Sequence, residues 1–255
     1  MFAADTGYLR VIRILLKWGA DVSAKTVHDH TALHNSVRNR HLAVTKALIK
    51  AGADLEAKTN RAATGPMPIQ GHTPLHLAAA EGFCEGTVAL IDAGASIGSR
   101  MNNGSTPLYL SACLARLEAA RVFLRAKANL QSGANEGDTE ALEAAAHMNH
   151  EDIVALLRGF GVMDTAGTAL CAAIEGRAEA CVKLLMRRRG GHAISTCVRT
   201  STSPKVGTAF SCAPSTWDAF MLPDSRGFCS TKEPTQHQKS HLSLTIGRKP
   251  STRPW

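Results

Sequence analysis

No uninterrupted apolar stretch opens this 255-residue chain, and none of its seven cysteines forms a C-x-x-C pair. Asp5, Arg10, Arg13 and Lys17 interrupt the first eighteen residues. We therefore predict neither a signal peptide nor a membrane span there, and expect an intracellular protein, cytoplasmic or nuclear. The odd number and irregular spacing of the cysteines disfavour a disulfide framework or a zinc module.

The chain also lacks the usual motifs of enzyme active sites in the structural context that they need. No G-x-x-x-x-G-K-[ST] loop, G-x-S-x-G elbow, H-E-x-x-H or G-x-G-x-x-G follows a strand-like run. Phosphate, ester and dinucleotide chemistry thus lack their scaffolding. We expect no enzymatic activity and no cofactor.

The formal charge of +8 is unevenly distributed along the chain. Residues 191–255 carry eight Lys or Arg against Asp218, Asp224 and Glu233, a net of +5, which leaves +3 for residues 1–190. The segment 191–255 is also rich in Ser, Thr and Pro, so we predict a disordered basic tail. For Arg187, Arg188 and Arg189, just before it, we favour a role at a helix C-terminus over a targeting or nucleic-acid role.

A unit of about 33 residues recurs over residues 1–190. Its clearest copy has Thr73-Pro74-Leu75-His76 followed by Ala78, Ala79 and Gly82, and Thr31 and Thr106 open two further copies. A glycine ends each unit at Gly19, Gly52, Gly94 and Gly161, with Lys127 in the matching place between the last two. A weaker copy starts at Thr168. Thr as an N-cap, Pro at the first helical position and Gly as a left-handed stop predict a short helix, and the apolar residues that follow predict a second.

The period and the T-P-L-H and G-A-D signatures resemble those of the ankyrin-repeat family. The resemblance implies an all-α solenoid of about five to six repeats with short β-hairpin fingers over residues 1–190, the first and last repeats being incomplete or degenerate. One repeat cannot bury its own apolar surface, so repeats are stabilised by stacking. We expect the second helix of the first repeat, with Val11, Ile12, Ile14, Leu15 and Leu16, to be buried between neighbours.

Departures from the repeat predict local differences. Nine extra residues within 58–71 predict an enlarged exposed loop, and a short interval between Gly161 and Thr168 predicts a missing finger. Met1 enters midway through a unit, so we expect an open apolar end.

A group of histidines and two cysteines could serve a metal site or a nucleophile, but a structural role is favoured for each. His28, Asp29, His30 and His34 lack the spacing of a metal site, and the resemblance gives His34 and His76 a role in hydrogen bonding to backbone. For Cys84 and Cys171 we favour core packing over nucleophilic catalysis. We expect no metal site.

The resemblance implies that a protein partner binds the concave face, through finger tips and exposed positions of the first helices. We predict an adaptor or scaffold that is monomeric and does not bind membranes. The partner-binding residues predicted from this are His28, Asp29, His30, Asn35, Arg38, Asn39, Arg61, Met67, Leu77, Glu81, Arg100 and Asn102, with Met101, Ala80, Leu110, Cys113 and Leu114 at further mapped positions.

Two alternatives stay open. In the first, the basic tail is the functional part, binding nucleic acid or another acidic partner or serving as a phosphorylation-controlled segment. The chain is alternatively a fragment of a larger multidomain protein.

Overall fold

The computed structural model describes residues 1–60, 71–129, 136–164 and 166–186. Within these ranges the chain is helical and contains no strand. Its twelve helices are α1 (Phe2–Asp5), α2 (Leu9–Lys17), α3 (Ala32–Arg38), α4 (Leu42–Lys50), α5 (Pro74–Glu81), α6 (Cys84–Asp92), α7 (Pro107–Cys113), α8 (Leu117–Asn129), α9 (Glu136–His147), α10 (Glu151–Gly159), α11 (Thr168–Glu175) and α12 (Glu179–Met186).

The helices form six consecutive pairs, numbered here as repeats 1 to 6. The first helices of the pairs, α1, α3, α5, α7, α9 and α11, pack side by side in one row. The second helices, from α2 to α12, pack side by side in another row. Each helix also contacts the other member of its own pair. Two layers of helices therefore stack repeat on repeat, as the periodicity predicts.

Threonine begins the first helix in the middle repeats. The Thr106 hydroxyl accepts from the Tyr109 amide at 3.2 Å, and Pro107 occupies the first turn of α7, where its lack of an N–H group has no cost. The weaker sixth copy differs, because Thr168 lies inside α11 and Gly167 is its N-cap. There the Asp164 carboxylate accepts from the Leu170 amide instead.

A residue with positive φ follows each first helix, and only two of the six are glycines. Gly82 behaves as predicted, with φ of 64°. Four other repeats place a side-chain-bearing residue in the left-handed region, at Arg40, Ala115, Asn149 and Arg177, with φ between 54° and 59°. Because L-residues other than glycine pay for this conformation, these turns are held by the packing around them.

Lys127 changes the end of α8. The second helices α2, α4, α6 and α10 end near glycines with positive φ, whereas α8 has Lys127 at the matching place and runs on to Asn129. The Lys127 ammonium lies 2.5 Å from a carboxylate oxygen of Asp138 in α9; Asp138 is buried and Lys127 is half-buried. A largely desolvated ion pair thus joins repeats 4 and 5.

The core lies between the two rows and between neighbouring repeats. Leu48, Leu90, Phe123 and Leu157 hold equivalent positions in successive second helices, and each is almost completely buried. In the first row Leu75 is fully buried as well. The apolar positions of the repeat are therefore the ones that stacking covers, as expected.

The expectation that α2 is buried between neighbours is wrong. Only Ile12 of α2 is buried, while Val11, Ile14 and Leu15 are each more than 40% exposed. The reason is that α2 is packed by α4 on one side only, with no helix of the described residues on the other.

The connections between repeats follow the predicted lengths. Fourteen residues, 93–106, join α6 to α7, whereas α10 and α11 are joined by eight, 160–167. The enlarged loop was predicted within residues 58–71, of which 61–70 lie outside the described residues. At its two ends, the Thr59 amide donates to the His72 carbonyl at 3.0 Å and the Gly71 amide to the Thr59 carbonyl at 2.8 Å, so the chain leaves and returns at one place.

Candidate functional site

The predicted fingers are short turns closed by backbone hydrogen bonds. The Thr26 amide donates to the His30 carbonyl at 2.9 Å, and the Met101 amide donates to the Ser105 carbonyl at the same distance. Asp29 and Gly104 take the positive φ angles that such tight turns require. These turns expose the side chains at their tips, His28 in the first and Asn102 in the third.

Hydrogen bonds join each finger to the next. The Asn60 amide donates to the His28 carbonyl at 3.1 Å, and the Lys58 ammonium donates to the Arg100 carbonyl at 3.0 Å. Since backbone carbonyls accept both bonds, the spacing of the fingers is independent of the side chains at their tips. The described parts of the three fingers are therefore linked in a row.

His34 and His76 hold the first helices to the fingers of the following repeats. Nδ1 of His34 accepts from the Thr31 amide at 3.1 Å, and its Nε2 donates to the His72 carbonyl at 3.2 Å. His76 makes the same pair of bonds with Thr73 and, at 3.1 Å, with the Ser105 carbonyl. This is the backbone-bonding role that the family resemblance implies.

Burial keeps both imidazoles neutral. It lowers the pKa of His34 and of His76 to about 4, against the weaker opposing effect of their bonds to backbone carbonyls. A neutral ring has one acceptor and one donor nitrogen, which is what the two bonds on each ring need. Among the described residues no group of three or more His, Cys, Asp or Glu is arranged to hold a metal ion.

The predicted positions on α3 and its C-terminal end differ in accessibility. Arg38 is exposed, and Asn35 is half-buried. The Asn39 side chain donates to the Asp5 carboxylate at 2.8 Å and to the Asn35 carbonyl at 3.0 Å. Asn39 is therefore already engaged in the contact between repeats 1 and 2, and Arg38 is the freer of these side chains to meet a partner.

Leu77 does not belong to an accessible surface, which corrects the prediction. It is only 6% exposed, because its position on α5 faces a neighbouring first helix. Leu110 and Cys113 of α7, Ala80 of α5 and Met101 of the third finger are buried in the same way. Glu81, one turn after Leu77, is half-buried and keeps contact with solvent.

A group of cations around Glu81 was missed by the sequence analysis. Burial raises the pKa of the Glu81 carboxyl, while the nearby charges of Arg116, Arg38 and Arg40 lower it. Arg40 and Arg116 are exposed and lie just after the ends of α3 and α7, and the Arg116 guanidinium also donates to the Ala80 carbonyl at 2.9 Å. Arg40 is itself the left-handed residue after α3, and Arg116 directly follows the left-handed Ala115 after α7.

Arg100 links the third finger to the row of first helices. Its guanidinium lies 3.5 Å from the Glu140 carboxylate of α9 and donates to the Gly104 carbonyl at 3.0 Å. Both partners of the ion pair are more than 40% exposed. Fingers and first helices therefore share one side of the stack, here called the first-helix surface: the fingers of residues 26–30 and 100–104 together with Asn35, Arg38, Arg40, Glu81, Arg116 and Glu140.

The cysteine expectation needs correction in part. Cys84 and Cys171 are half-buried, whereas Cys113 and Cys181 are the buried ones. Burial raises the pKa of the Cys84 thiol, and the carboxylates of Glu85 and Glu118 act in the same direction. A raised pKa reduces the thiolate fraction, which is the opposite of what a nucleophile needs.

Several predicted features lie outside the described residues: Arg61, Met67, Arg187, Arg188, Arg189 and the segment 191–255. In the described part of the chain, no helix has the length and apolar character needed to cross a membrane.

Comparison with known proteins agrees with this architecture. The family model for ankyrin repeats in three copies matches residues 75–164, and the model for a single ankyrin repeat matches residues 28–60. No curated protein matches the chain significantly. The two matched segments cover repeats 2 to 5 of the stack, where the capping threonines and the buried histidines lie. Over residues 28–60 and 75–164 the chain is built of ankyrin repeats.

Proposed function

We propose that this protein is a non-enzymatic adaptor or scaffold that binds a protein partner on its first-helix surface. Ankyrin repeats are in general protein–protein interaction modules, and proteins built from them are typically without enzymatic activity. We further propose that the repeat domain spans residues 1–190 and that partner binding belongs to it.

The observation that carries the proposal is the alignment of accessible polar side chains along one side of the stack. The fingers are joined by backbone-directed hydrogen bonds, and Arg100 of the third finger reaches Glu140 of a first helix. Side chains on such an ordered scaffold lose little conformational freedom when a partner binds, which favours affinity. His28, Asp29, His30, Arg38, Arg100 and Asn102 are the predicted contact residues on this surface.

Charge suggests the chemistry of the partner. Arg38, Arg40 and Arg116 lie close enough to the Glu81 carboxyl to lower its pKa, so three cations stand beside it. Exposed arginines favour carboxylates, to which they donate two parallel hydrogen bonds. The partner segment that fits here is therefore acidic.

Affinity capture from cell extract with the full chain as bait tests the proposal. The double variant Arg38→Glu/Arg100→Glu should lose the partner that the wild type recovers. The control Arg125→Glu makes the same charge change on the exposed side of α8, in the other row of helices, and should retain it. Circular dichroism must show that all three fold alike. Equal recovery by the double variant would refute the proposed surface.

A further inference from the structure

Three positions on the second helices stay exposed along the stack. They lie three, six and ten residues after the left-handed residue that follows each first helix, and in repeats 1, 2, 3 and 5 all three are exposed. Repeats 2, 3 and 5 have a neighbour on each side, so stacking does not cover these positions. We call the side of the stack that they form the outer face, because the first helices pack against the opposite side of the second helices.

The outer face of repeats 1 and 2 carries cations alone. Neither α2 nor α4 contains an acidic residue, and the two helices pack side by side. Their five exposed charged side chains, here called the basic outer face, are Arg10, Arg13, Lys17, Lys46 and Lys50. At the same positions repeat 3 has Glu85 and Asp92 and no cation, so the charge belongs to repeats 1 and 2 and does not follow from the repeat pattern.

Acidic side chains near this face do not cancel its charge. Asp21 and Asp54 lie four residues beyond Lys17 and Lys50, and each accepts a hydrogen bond from the backbone amide two residues on, at 2.8 and 2.9 Å. Residues 9–54 as a whole carry eight Lys or Arg against three Asp, a net charge of +5. The ion pairs found among the described residues involve none of the five cations. The basic outer face therefore keeps its charge available to an external anion.

The five cations lie close enough to act together. From Arg10 to Lys17 the helix rises about 10 Å, and two packed helices lie about 8 to 10 Å apart. These distances are comparable to the Debye length of about 8 Å at physiological ionic strength. The charges therefore present a single positive field to a surface that lies against them.

An exposed tryptophan stands beside the basic outer face. Trp18 follows Lys17 at the end of α2 and is 85% exposed. Its counterparts in repeats 2, 3 and 5 are Ala51, Ala93 and Phe160, which are exposed too, so this position stays accessible inside the stack. An indole combines an apolar ring with a polar N–H group, and this composition favours the boundary between lipid headgroups and acyl chains.

We propose that the basic outer face binds an anionic phospholipid membrane as a peripheral contact, with Trp18 at the level of the headgroups. Clusters of about four to eight cations on a helical surface recognise phosphatidylserine and similar anionic headgroups, and each cation near the surface adds to the binding. Two helices side by side present a layer that fits a plane. A groove of duplex DNA instead takes a single protruding helix or a β-ribbon, and its stacked bases offer no platform to Trp18.

The proposal departs from the absence of membrane binding that the sequence led us to expect. It is independent of the proposed function, because the first-helix surface lies on the other row of helices. A protein partner and a membrane can therefore be bound at the same time.

Co-sedimentation of the full 255-residue chain with vesicles tests the proposal. The wild type should bind vesicles of phosphatidylcholine with about one third phosphatidylserine, should bind them more weakly as salt is raised, and should not bind pure phosphatidylcholine. Arg13→Glu/Lys46→Glu should lower the affinity about 30-fold or more, because it removes two of the five cations. The control Arg125→Glu/Lys183→Glu makes the same charge change at exposed positions of α8 and α12 and should bind like the wild type. Circular dichroism must show that all three chains fold alike.

Fluorescence of Trp18 separates this face from the basic segment 191–255. In Trp217→Phe/Trp255→Phe, Trp18 is the only tryptophan left, and its emission should shift to shorter wavelength when the anionic vesicles are added. Vesicle binding without this shift, or an equal loss of binding in the two charge-reversal variants, would overturn the proposal, because the contact would then lie elsewhere on the chain. Absence of vesicle binding by the wild type would overturn it as well. Binding of a short DNA duplex instead of vesicles, lost only in Arg13→Glu/Lys46→Glu, would identify nucleic acid as the occupant and equally refute it.

Discussion

Acid should destabilise this fold through two buried histidines. His34 and His76 are completely buried, and burial lowers the pKa of each from 6.5 to about 4. Their folded forms therefore take up protons less readily than the unfolded chain does. The stability that the neutral rings contribute is fully present above pH 6.5 and is lost as the pH falls from 6.5 towards 4.

The size of the effect follows from the two pKa values. At pH 5 an unfolded histidine is almost fully protonated while the folded one is largely neutral, a difference of about 2 kcal/mol for each ring by linkage. The two together should lower the free energy of unfolding by about 4 kcal/mol between pH 7.5 and pH 5. That is a large share of the stability of a typical domain.

Urea titrations followed by circular dichroism at both pH values measure this difference. The double variant His34→Gln/His76→Gln is less stable at pH 7.5 but should lose about 4 kcal/mol less than the wild type on acidification, because its amides do not titrate. His72, whose pKa burial lowers to about 3, is present in both chains and cancels in the comparison. His28→Gln, in the exposed finger, is the control. If the double variant and the wild type lose equal stability, the two rings are not the groups that titrate.

Three further predictions concern stability in urea at neutral pH. Leu48→Ala and Leu75→Ala should each lower the free energy of unfolding by about 2 to 5 kcal/mol, because both side chains are buried. A loss below about 0.5 kcal/mol in both variants would mean that these residues do not belong to the core. Ala115→Gly should raise the free energy of unfolding by up to about 1 kcal/mol, since Ala115 has φ of 54°. Its control, Ala112→Gly inside α7, should lower the free energy of unfolding. A loss of stability in Ala115→Gly would show that the turn at Ala115 is unstrained. Lys127→Ala should cost about 3 to 5 kcal/mol by removing the cation beside the buried Asp138 carboxylate. Restoration of stability by the second change Asp138→Asn would confirm that cause, whereas a neutral Lys127→Ala would exclude it.

The repeat architecture was predictable because its determinants are local. A threonine cap, a proline in the first turn and an apolar second helix identify α5 and α6 directly from residues 73–92. The roles of His34 and His76 followed from the resemblance, and their bonds to backbone confirm them.

The features that were missed depend on neighbours that the sequence of one repeat does not reveal. Leu77 was assigned to the surface from its place in the repeat, yet an adjacent first helix covers it. Apolar α2 was expected to be buried, yet it has a neighbour on one side only. The ion pair of Lys127 with Asp138 required α8 to extend beyond the usual glycine position, which no local pattern indicated.

The most direct test of the central claim, that a protein partner binds the first-helix surface, is hydrogen–deuterium exchange of the full chain with and without its captured partner. Binding there should slow exchange in the fingers at residues 26–30 and 100–104 and at the C-terminal end of α3, and leave α4, α6 and α8 unchanged. Protection confined to the second helices would contradict the account.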